Sequence, residues 1–154
     1  MQPINRKEYE RTNKRNLFSL FLNKCLCLLA KNMIIPSIRN LLYRLMGIKI
    51  GNNVFIGMNC YLDDRFPELI KIEDGVIISY GVLIFAHDGS YRKNPEVGSV
   101  IIKRNAQIGA GVIILCGVTI GENAIVGAGA VVTKEISDNA VAVGVPAMVI
   151  KELK

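Results

Sequence analysis

The sequence contains no tryptophan and a single histidine, His87, and aromatic residues occupy 6% of its 154 positions. A broad core built around large rings is therefore not expected. The 51% hydrophobic content instead fits a narrow core filled by Ile and Val. With one histidine, a zinc site made of three histidines is excluded.

The four cysteines form no CxxC pair and no spacing typical of metal ligands. Two of them stand at positions that look apolar, so we expect reduced, buried thiols and no metal site. This cysteine usage predicts a cytoplasmic protein. The four are Cys25, Cys27, Cys60 and Cys116.

The net charge of +6 is unevenly distributed along the chain. Residues 1–49 hold ten Lys or Arg against two Glu, whereas residues 50–154 hold nine basic against eleven acidic residues. No aromatic-basic platform accompanies the basic segment, so a nucleic-acid partner is not predicted. Two interpretations stay open for this segment: a solvated arm, or contact with an anionic membrane surface.

No apolar run is long enough to span a bilayer. Residues 17–30 are apolar at eleven of fourteen positions but include Asn23 and Lys24. The following Lys31-Asn32-Met33 is a poor cleavage site, so a signal peptide is not expected.

Aliphatic residues instead recur at intervals of six over most of the chain. Neither a helix nor an ordinary half-buried strand holds a six-residue phase over this distance, and hexapeptide periodicity is typical of a parallel β-helix. We therefore predict an all-β fold, a parallel β-helix of about four coils over residues 48–144, within a domain of residues 48–154. The repeating positions are Ile50, Ile56, Leu62, Ile72, Ile78, Ile84, Ile102, Ile108, Ile114, Ile120, Val126 and Val132.

Residues 1–47 form a basic, apolar helical segment in this prediction. Pro36 opens a helix, apolar residues follow at helical spacing, and Gly47 ends it. We expect one or two such helices to pack on the first coil as a hydrophobic cap, with any leftover apolar face available to a membrane. A short strand or helix over residues 147–154 would cover the other end.

The six-residue phase is interrupted twice. Four extra residues separate Leu62 from Ile72, and the eighteen-residue interval from Ile84 to Ile102 contains the polar stretch 87–95, which predicts a protruding loop. His87 stands at the root of this loop. Histidine alone has an ordinary pKa near neutrality, so His87 is a candidate general base, although a lone histidine is more often structural.

The stretch from Ile108 to Lys134, with its VGAGAVVTK sequence, is followed by GVPA at residues 144–147. These elements resemble the bacterial hexapeptide-repeat acyltransferases over residues 47–151. The resemblance is strongest to O-acetyltransferases of the maltose, galactoside and nodulation-factor type and to their relatives in polysaccharide biosynthesis. It implies a left-handed β-helix, a homotrimer with active sites between neighbouring subunits, and acetyl-CoA as the donor.

The resemblance also implies residue roles. His87 corresponds to the catalytic base, with direct transfer from the thioester, so that Cys60 and Cys116 are core filler. Met148 follows GVPA where the family often has arginine. Five residues are expected along acetyl-CoA. Ala110 and Ala128 would meet the pantetheine arm. Thr133 and Lys134 would meet the nucleotide end, and Lys151 would lie near the phosphates.

The acceptor is expected to be a sugar or glycan hydroxyl. Asn59, Asp63 and Asp64 are its predicted contacts; Asp63 and Asp64 could equally orient His87 or be ordinary turn residues. Weaker candidates are Tyr91, Arg92 and Lys93 of the loop. A free sugar, an amino-sugar nitrogen or a xenobiotic stays open as acceptor, and longer acyl groups as donor.

Three related classes are disfavoured. A β-helical carbonic anhydrase requires three histidines, a nucleotidyltransferase requires a preceding nucleotide-binding domain, and a serine acetyltransferase requires a larger helical domain and paired histidines. The alternative from a different class is a non-catalytic β-helical scaffold, oligomeric or attached to a membrane. The expected location is the cytoplasm, and the basic, apolar N-terminus leaves open a position at the inner face of the membrane.

Overall fold

The computed structural model describes residues 3–13, 16–88 and 96–153. Three helices lie near the N-terminus: α1 (Arg6–Thr12), α2 (Leu17–Asn32) and α3 (Pro36–Leu45). No helix within the described ranges has the length and apolar character needed to cross a bilayer. The strands are β1 (Ile4–Asn5), β2 (Lys49–Ile50), β3 (Phe55–Ile56), β4 (Tyr61–Leu62), β5 (Ile70–Ile72), β6 (Ile77–Ile78), β7 (Leu83–Ile84), β8 (Glu96–Val97), β9 (Val100–Ile102), β10 (Gln107–Ile108), β11 (Ile113–Ile114), β12 (Thr119–Ile120), β13 (Ile125–Val126), β14 (Val131–Val132), β15 (Ala140–Val143) and β16 (Met148–Glu152).

From β2 onward, all strands except β8 and β16 form three parallel sheets, and the chain visits the three sheets in turn. Their strand orders are β2-β5-β9-β12, β3-β6-β10-β13-β15 and β4-β7-β11-β14. Consecutive passes are in register, so that Ile56 stands beside Ile78, Ile78 beside Ile108, and Ile108 beside Val126. This arrangement is a parallel β-helix, and eleven of the twelve repeating aliphatic positions are buried inside it.

The first pass, β2 to β4, is the outer strand of each sheet, so its backbone carbonyls on the outer side need partners other than a strand. Side chains of α2 and α3 supply them. Asn40 Nδ2 donates to the Val54 carbonyl (2.8 Å) and the Tyr43 hydroxyl donates to the Cys60 carbonyl (2.8 Å). The guanidinium of Arg39 donates to the Ile56 carbonyl and, through Nε, to the Met33 carbonyl (3.0 Å).

This arrangement departs from the expected orientation of α3, although Met46 of the predicted stripe is buried and Leu42 is partly buried against the core. The sequence predicts that the apolar stripe of the helix packs on the coil, but Ile38, Leu41 and Leu45 are exposed. The residues that α3 buries are Arg39, Asn40 and Tyr43. The reason is the chemistry of the coil's end: a row of carbonyl oxygens requires hydrogen-bond donors, which an apolar stripe lacks.

Replacing Arg39 with methionine is expected to lower the free energy of unfolding by about 3 kcal/mol, because buried carbonyls lose charged donors. The matched control is Arg44→Met, on the same helix, where the side chain is exposed and donates to the Ile50 and Gly51 carbonyls. There the loss should be below about 1 kcal/mol. Urea unfolding of both variants measures the difference, and equal losses would contradict the assigned role of Arg39.

Residues 4–12 pack against β8 and the segment around Phe66. This part of the basic segment is therefore not a solvated arm. β1 pairs antiparallel with β8, placing Ile4 beside Val97. The Tyr9 ring meets the Phe66 ring edge-on, with centroids 5.7 Å apart, and its hydroxyl donates to Glu68 Oε1 (2.8 Å). Such short elements have no detectable periodicity, which is why the sequence did not indicate them.

The C-terminal segment is a strand rather than a helix. β15 continues the sheet of β13 in parallel, and β16 returns antiparallel to β15 at the edge of that sheet. The connection includes a cis peptide bond between Val145 and Pro146.

Candidate active site

His87 lies three residues beyond the end of β7, at the start of the second interruption of the six-residue phase. The interruption is closed by antiparallel pairing: His87 stands opposite Val97, and the Gly98 amide donates to the Ala86 carbonyl (2.9 Å). The Asp88 amide donates to the Glu96 carbonyl (2.7 Å) on the loop's far side. The position of His87 is therefore fixed by backbone hydrogen bonds. The loop candidates Tyr91, Arg92 and Lys93 lie outside the described residues.

Asp63 stands immediately behind the His87 ring. It follows β4, at the start of the first interruption of the six-residue phase, and its side chain is completely buried. Oδ2 lies 2.5 Å from His87 Nδ1 and accepts from the Ala86 amide (2.8 Å). Oδ1 accepts from the amides of Arg65 (2.9 Å) and Phe66 (3.1 Å). With four hydrogen bonds and no exposed surface, this carboxylate is positioned to orient His87.

The environment keeps Asp63 ionised. Burial acts to raise the pKa of Asp63, but the hydrogen bond and charge of His87 and the Ala86 and Phe66 amides together hold that pKa below its ordinary value. An ionised carboxylate can only accept hydrogen bonds, so His87 Nδ1 carries the proton. In this tautomer the lone pair of the ring lies on Nε2, the nitrogen from which a general base acts.

His87 faces a pocket of about 360 Å³. The pocket contains the His87 imidazole, the Asp64 carboxylate and the cationic side chains of Lys24 and Arg65. The Tyr61 hydroxyl donates to Asp64 Oδ1 (2.7 Å), and burial, followed by this bond to Asp64, raises the pKa of Tyr61. The pocket is lined by Leu20, Lys24, Tyr61, Asp64, Arg65 and His87.

Four of these lining residues were missed by the sequence reasoning. Tyr61 and Arg65 flank the Asp63-Asp64 pair in sequence, so proximity to that pair was a signal that could have indicated them. Leu20 and Lys24 come from α2, and their place in the pocket depends on how that helix packs on the first coil, which no local pattern encodes.

The three predicted acceptor contacts occupy different surroundings. Asp64 lines the pocket beside His87. Asp63 is buried behind the ring and offers no exposed oxygen, so the geometry favours the orienting role over acceptor contact. Asn59 lies at the corner before β4, and its Nδ2 donates to the Tyr80 hydroxyl (3.3 Å). His87 lies beyond the ends of β4 and β7, on the opposite edge of that sheet.

The structure brings Ala110 and Ala128 together on one edge of the β-helix. Both are exposed at the corner that precedes β11 and β14, and the Gly129 amide donates to the Ala110 carbonyl (2.8 Å). The coils approach so closely here that a Cβ on Gly109 would stand 2.5 Å from the Ala128 nitrogen. This edge is therefore formed by closely stacked backbone and the exposed methyl groups of the two alanines.

Thr133 and Lys134 lie on the other edge of the same sheet. They follow β14, on the side where His87 follows β7, and both are exposed. Lys151 is exposed on β16, opposite Val141. Within one chain, the sheet of β4, β7, β11 and β14 therefore separates His87 from Ala110 and Ala128.

The thiols near these edges are poor nucleophiles. Burial raises the pKa of both Cys60 and Cys116, which disfavours the reactive thiolate. All four cysteines are free, and Cys60 is completely buried inside the coil. Across the described part of the chain, no group of three His, Cys, Asp or Glu residues could hold a metal ion.

Two family models match the repeats of this chain. One, described as bacterial transferase hexapeptide (six repeats), matches residues 99–134; the other, hexapeptide repeat of succinyl-transferase, matches residues 47–86. Galactoside O-acetyltransferase of Escherichia coli (strain K12) is 40% identical over 113 residues, which are 70% of this chain and 55% of that protein. The chain thus spans about half the length of the curated relatives that it matches.

Two solved structures extend the similarity beyond the repeats. A maltose O-acetyltransferase from Clostridium difficile 630 is 29% identical, with a TM-score of 0.67 and coverage of 90% of each chain. A galactoside acetyltransferase in complex with coenzyme A is 25% identical, with a TM-score of 0.71, covering 98% of this chain and 92% of that one. With these similarities and the matched repeats, the chain belongs to the bacterial hexapeptide-repeat transferases.

Proposed function

We propose that the protein is an acetyl-CoA-dependent O-acetyltransferase that acts on a sugar or glycan hydroxyl, with His87 as general base. The observation that carries this proposal is the His87–Asp63 pair at the mouth of a polar pocket. A scaffold protein has no use for a buried carboxylate that fixes the tautomer of a partly exposed imidazole. The similarity to sugar O-acetyltransferases supports acetyl transfer to a hydroxyl group as the reaction.

In the proposed reaction, His87 Nε2 takes the proton of the acceptor hydroxyl as its oxygen attacks the thioester carbonyl. Asp63 stabilises the imidazolium that forms, and a backbone N–H on the coil stabilises the developing oxyanion. Collapse of the tetrahedral intermediate breaks the C–S bond. The imidazolium then returns its proton to the departing thiolate of coenzyme A, leaving the ester and the free thiol.

Acetyl-CoA is proposed to lie along the edge of Ala110 and Ala128, where side chains of one carbon leave room for the pantetheine arm. A relative of this fold binds coenzyme A, which supports the same donor here. Thr133 and Lys134 would meet the nucleotide, and Lys151 the phosphates. Because the edge of Ala110 and the edge of His87 are separated within one chain, we propose a homotrimer of left-handed β-helices that brings them together between neighbouring subunits.

The pocket chemistry supports a sugar acceptor. Hydroxyl groups donate and accept at once, and the pocket offers the Asp64 carboxylate as acceptor and the Lys24 ammonium as donor. The proposed location is the cytoplasm.

The test is release of free thiol from acetyl-CoA across a panel of sugars and nucleotide-sugars, with acetyl-CoA binding measured separately by calorimetry. Acceptor-dependent release supports the proposal and identifies the acceptor class. A protein that fails to bind acetyl-CoA would overturn it and leave the β-helical scaffold as the function.

The proposed donor position predicts a steric effect at Ala128. Tyrosine at this exposed position would occupy the edge along which the pantetheine arm is proposed to lie, so Ala128→Tyr is expected to raise the KM for acetyl-CoA about tenfold or more, equivalent to about 1.4 kcal/mol of binding. Ala128→Ser, which adds one oxygen, is the control and should stay close to the native KM. Initial rates at varied acetyl-CoA measure both, and equal KM values would place the donor elsewhere.

A further inference from the structure

The helices α2 and α3, with the segment that connects them, carry a large exposed apolar surface, here named the outer face. Its residues are between 39% and 85% exposed. Single exposed apolar residues are ordinary, but a contiguous set of this size marks an interaction site. The members are Leu17, Phe18, Phe21, Leu22, Leu28, Leu29, Ile34, Ile35, Ile38, Leu41 and Leu45.

The outer face has a defined direction. At 3.6 residues per turn, the six α2 members fall within an arc of about 140°. Cys27 and Ala30, which α2 buries against the first coil, lie on the opposite side of the helix. In α3 the same opposition holds between the exposed Leu41 and the buried Arg39. Both stripes therefore point away from the coil, beyond the end of the β-helix.

The charge around the outer face is of one sign. Residues 16–49 contain five basic residues and no Asp or Glu. Lys24 and Lys31 follow one another along the border of the apolar arc of α2, and Arg44 lies beside the stripe of α3. An apolar face bordered by cations, on helices too short to cross a bilayer, is the arrangement of helices that lie in the headgroup region of membranes.

We infer that the outer face docks on an anionic membrane surface, with its Phe and Leu side chains at the boundary between headgroups and acyl chains. A second copy of the same face is a poor partner, because the contact would oppose two sets of cations without a carboxylate between them. The helix α2 also connects the outer face to the active site, since its Leu20 and Lys24 line the His87 pocket. Docking thus holds this pocket at the membrane surface.

The test is flotation of the full chain with phosphatidylcholine vesicles that contain about 30% phosphatidylglycerol, compared with pure phosphatidylcholine. We expect binding that requires the anionic lipid and weakens with added salt. The variant Phe18→Ser, Phe21→Ser, Leu41→Ser, Leu45→Ser should reduce vesicle affinity about tenfold or more. Ile150→Ser, which removes an exposed isoleucine at the other end of the β-helix, is the matched control and should bind like the native chain.

Because every substituted position is exposed, the serine variants are expected to fold, and thermal melting checks that they do. The double variant Phe18→Ser, Phe21→Ser serves as a milder alternative. No vesicle binding by the native chain would overturn the inference, as would undiminished binding of a folded serine variant. A smaller oligomer in the serine variant would show that another copy covers the outer face, which also overturns it. Acetyl-CoA binding by calorimetry is independent of all these outcomes and therefore tests the proposed function separately.

Discussion

Replacing His87 with alanine is expected to lower kcat for acetyl transfer by about 10²- to 10⁴-fold, the usual contribution of a positioned general base. The KM for acetyl-CoA should change little, because His87 is not among the proposed donor contacts. Without the imidazole, the acceptor hydroxyl must lose its proton to water while it attacks. Thiol release at saturating acetyl-CoA measures the effect.

A neighbouring substitution controls for disturbance of the loop base. Asp88 contributes its backbone amide to the pairing with Glu96, and Asp88→Ala retains that hydrogen bond. Its kcat should stay within about threefold of the native value, the range of changes that remove no group from the reaction. If the alanine variant at His87 retained more than about a tenth of native kcat, the general-base assignment would be wrong.

The second large effect is expected for Asp63→Asn. The amide nitrogen of asparagine would face the Ala86 amide and His87 Nδ1, which both donate to Asp63 in the native protein. His87 can relieve this clash by moving its proton to Nε2, and the ring then has no lone pair for the acceptor. We expect kcat to fall by about 10²-fold or more, with little change in the KM for acceptor.

Asp64→Asn is the matched control, because the same substitution falls on the adjacent residue that lines the pocket. It should raise the KM for acceptor and leave His87 oriented. The two variants therefore separate orientation from acceptor binding. A fall in kcat that is equal for both would contradict the distinct roles assigned to the two carboxylates.

Asp63 also predicts an effect of acid on stability. The folded-state pKa of Asp63 is lowered from its ordinary value of 3.8, so the ionised carboxylate stabilises the fold above pH 3.8. This contribution is lost as the pH falls through the lowered folded-state pKa. Urea unfolding of the native chain should therefore weaken at acid pH more steeply than unfolding of Asp63→Asn, which has no carboxyl group to protonate. Parallel curves would contradict the assigned ionisation.

The β-helix could be predicted from sequence because its periodicity is local and repeated. His87 could be named as the candidate base because the sequence has one histidine, which stands at an interruption of the phase. The six-residue phase also indicates which residues share a corner of the β-helix. Ala110 and Ala128 are eighteen residues apart and share a corner, whereas Thr133 is five residues beyond Ala128 and falls on the next one.

The orientation of α3 could not be predicted in the same way. Helical spacing shows that Ile38, Leu41 and Leu45 share a stripe, but it does not say which stripe faces the protein. That choice depends on the surface being covered, a row of backbone carbonyls that attracts Arg39, Asn40 and Tyr43. The contribution of Lys24 to the pocket likewise depends on packing between distant segments.

The stacked strands β7, β11 and β14 set the distance between His87 and Thr133 in the proposed site. His87 follows the first of these strands and Thr133 the last, with one strand between them. Neighbouring strands are about 4.8 Å apart, so the two positions differ by about 10 Å along the axis. Each added or deleted coil would change that length by one strand spacing, independently of loop sequence. The distance between the proposed base and the proposed nucleotide contact is thus set by the number of coils, an integer that point substitutions cannot alter.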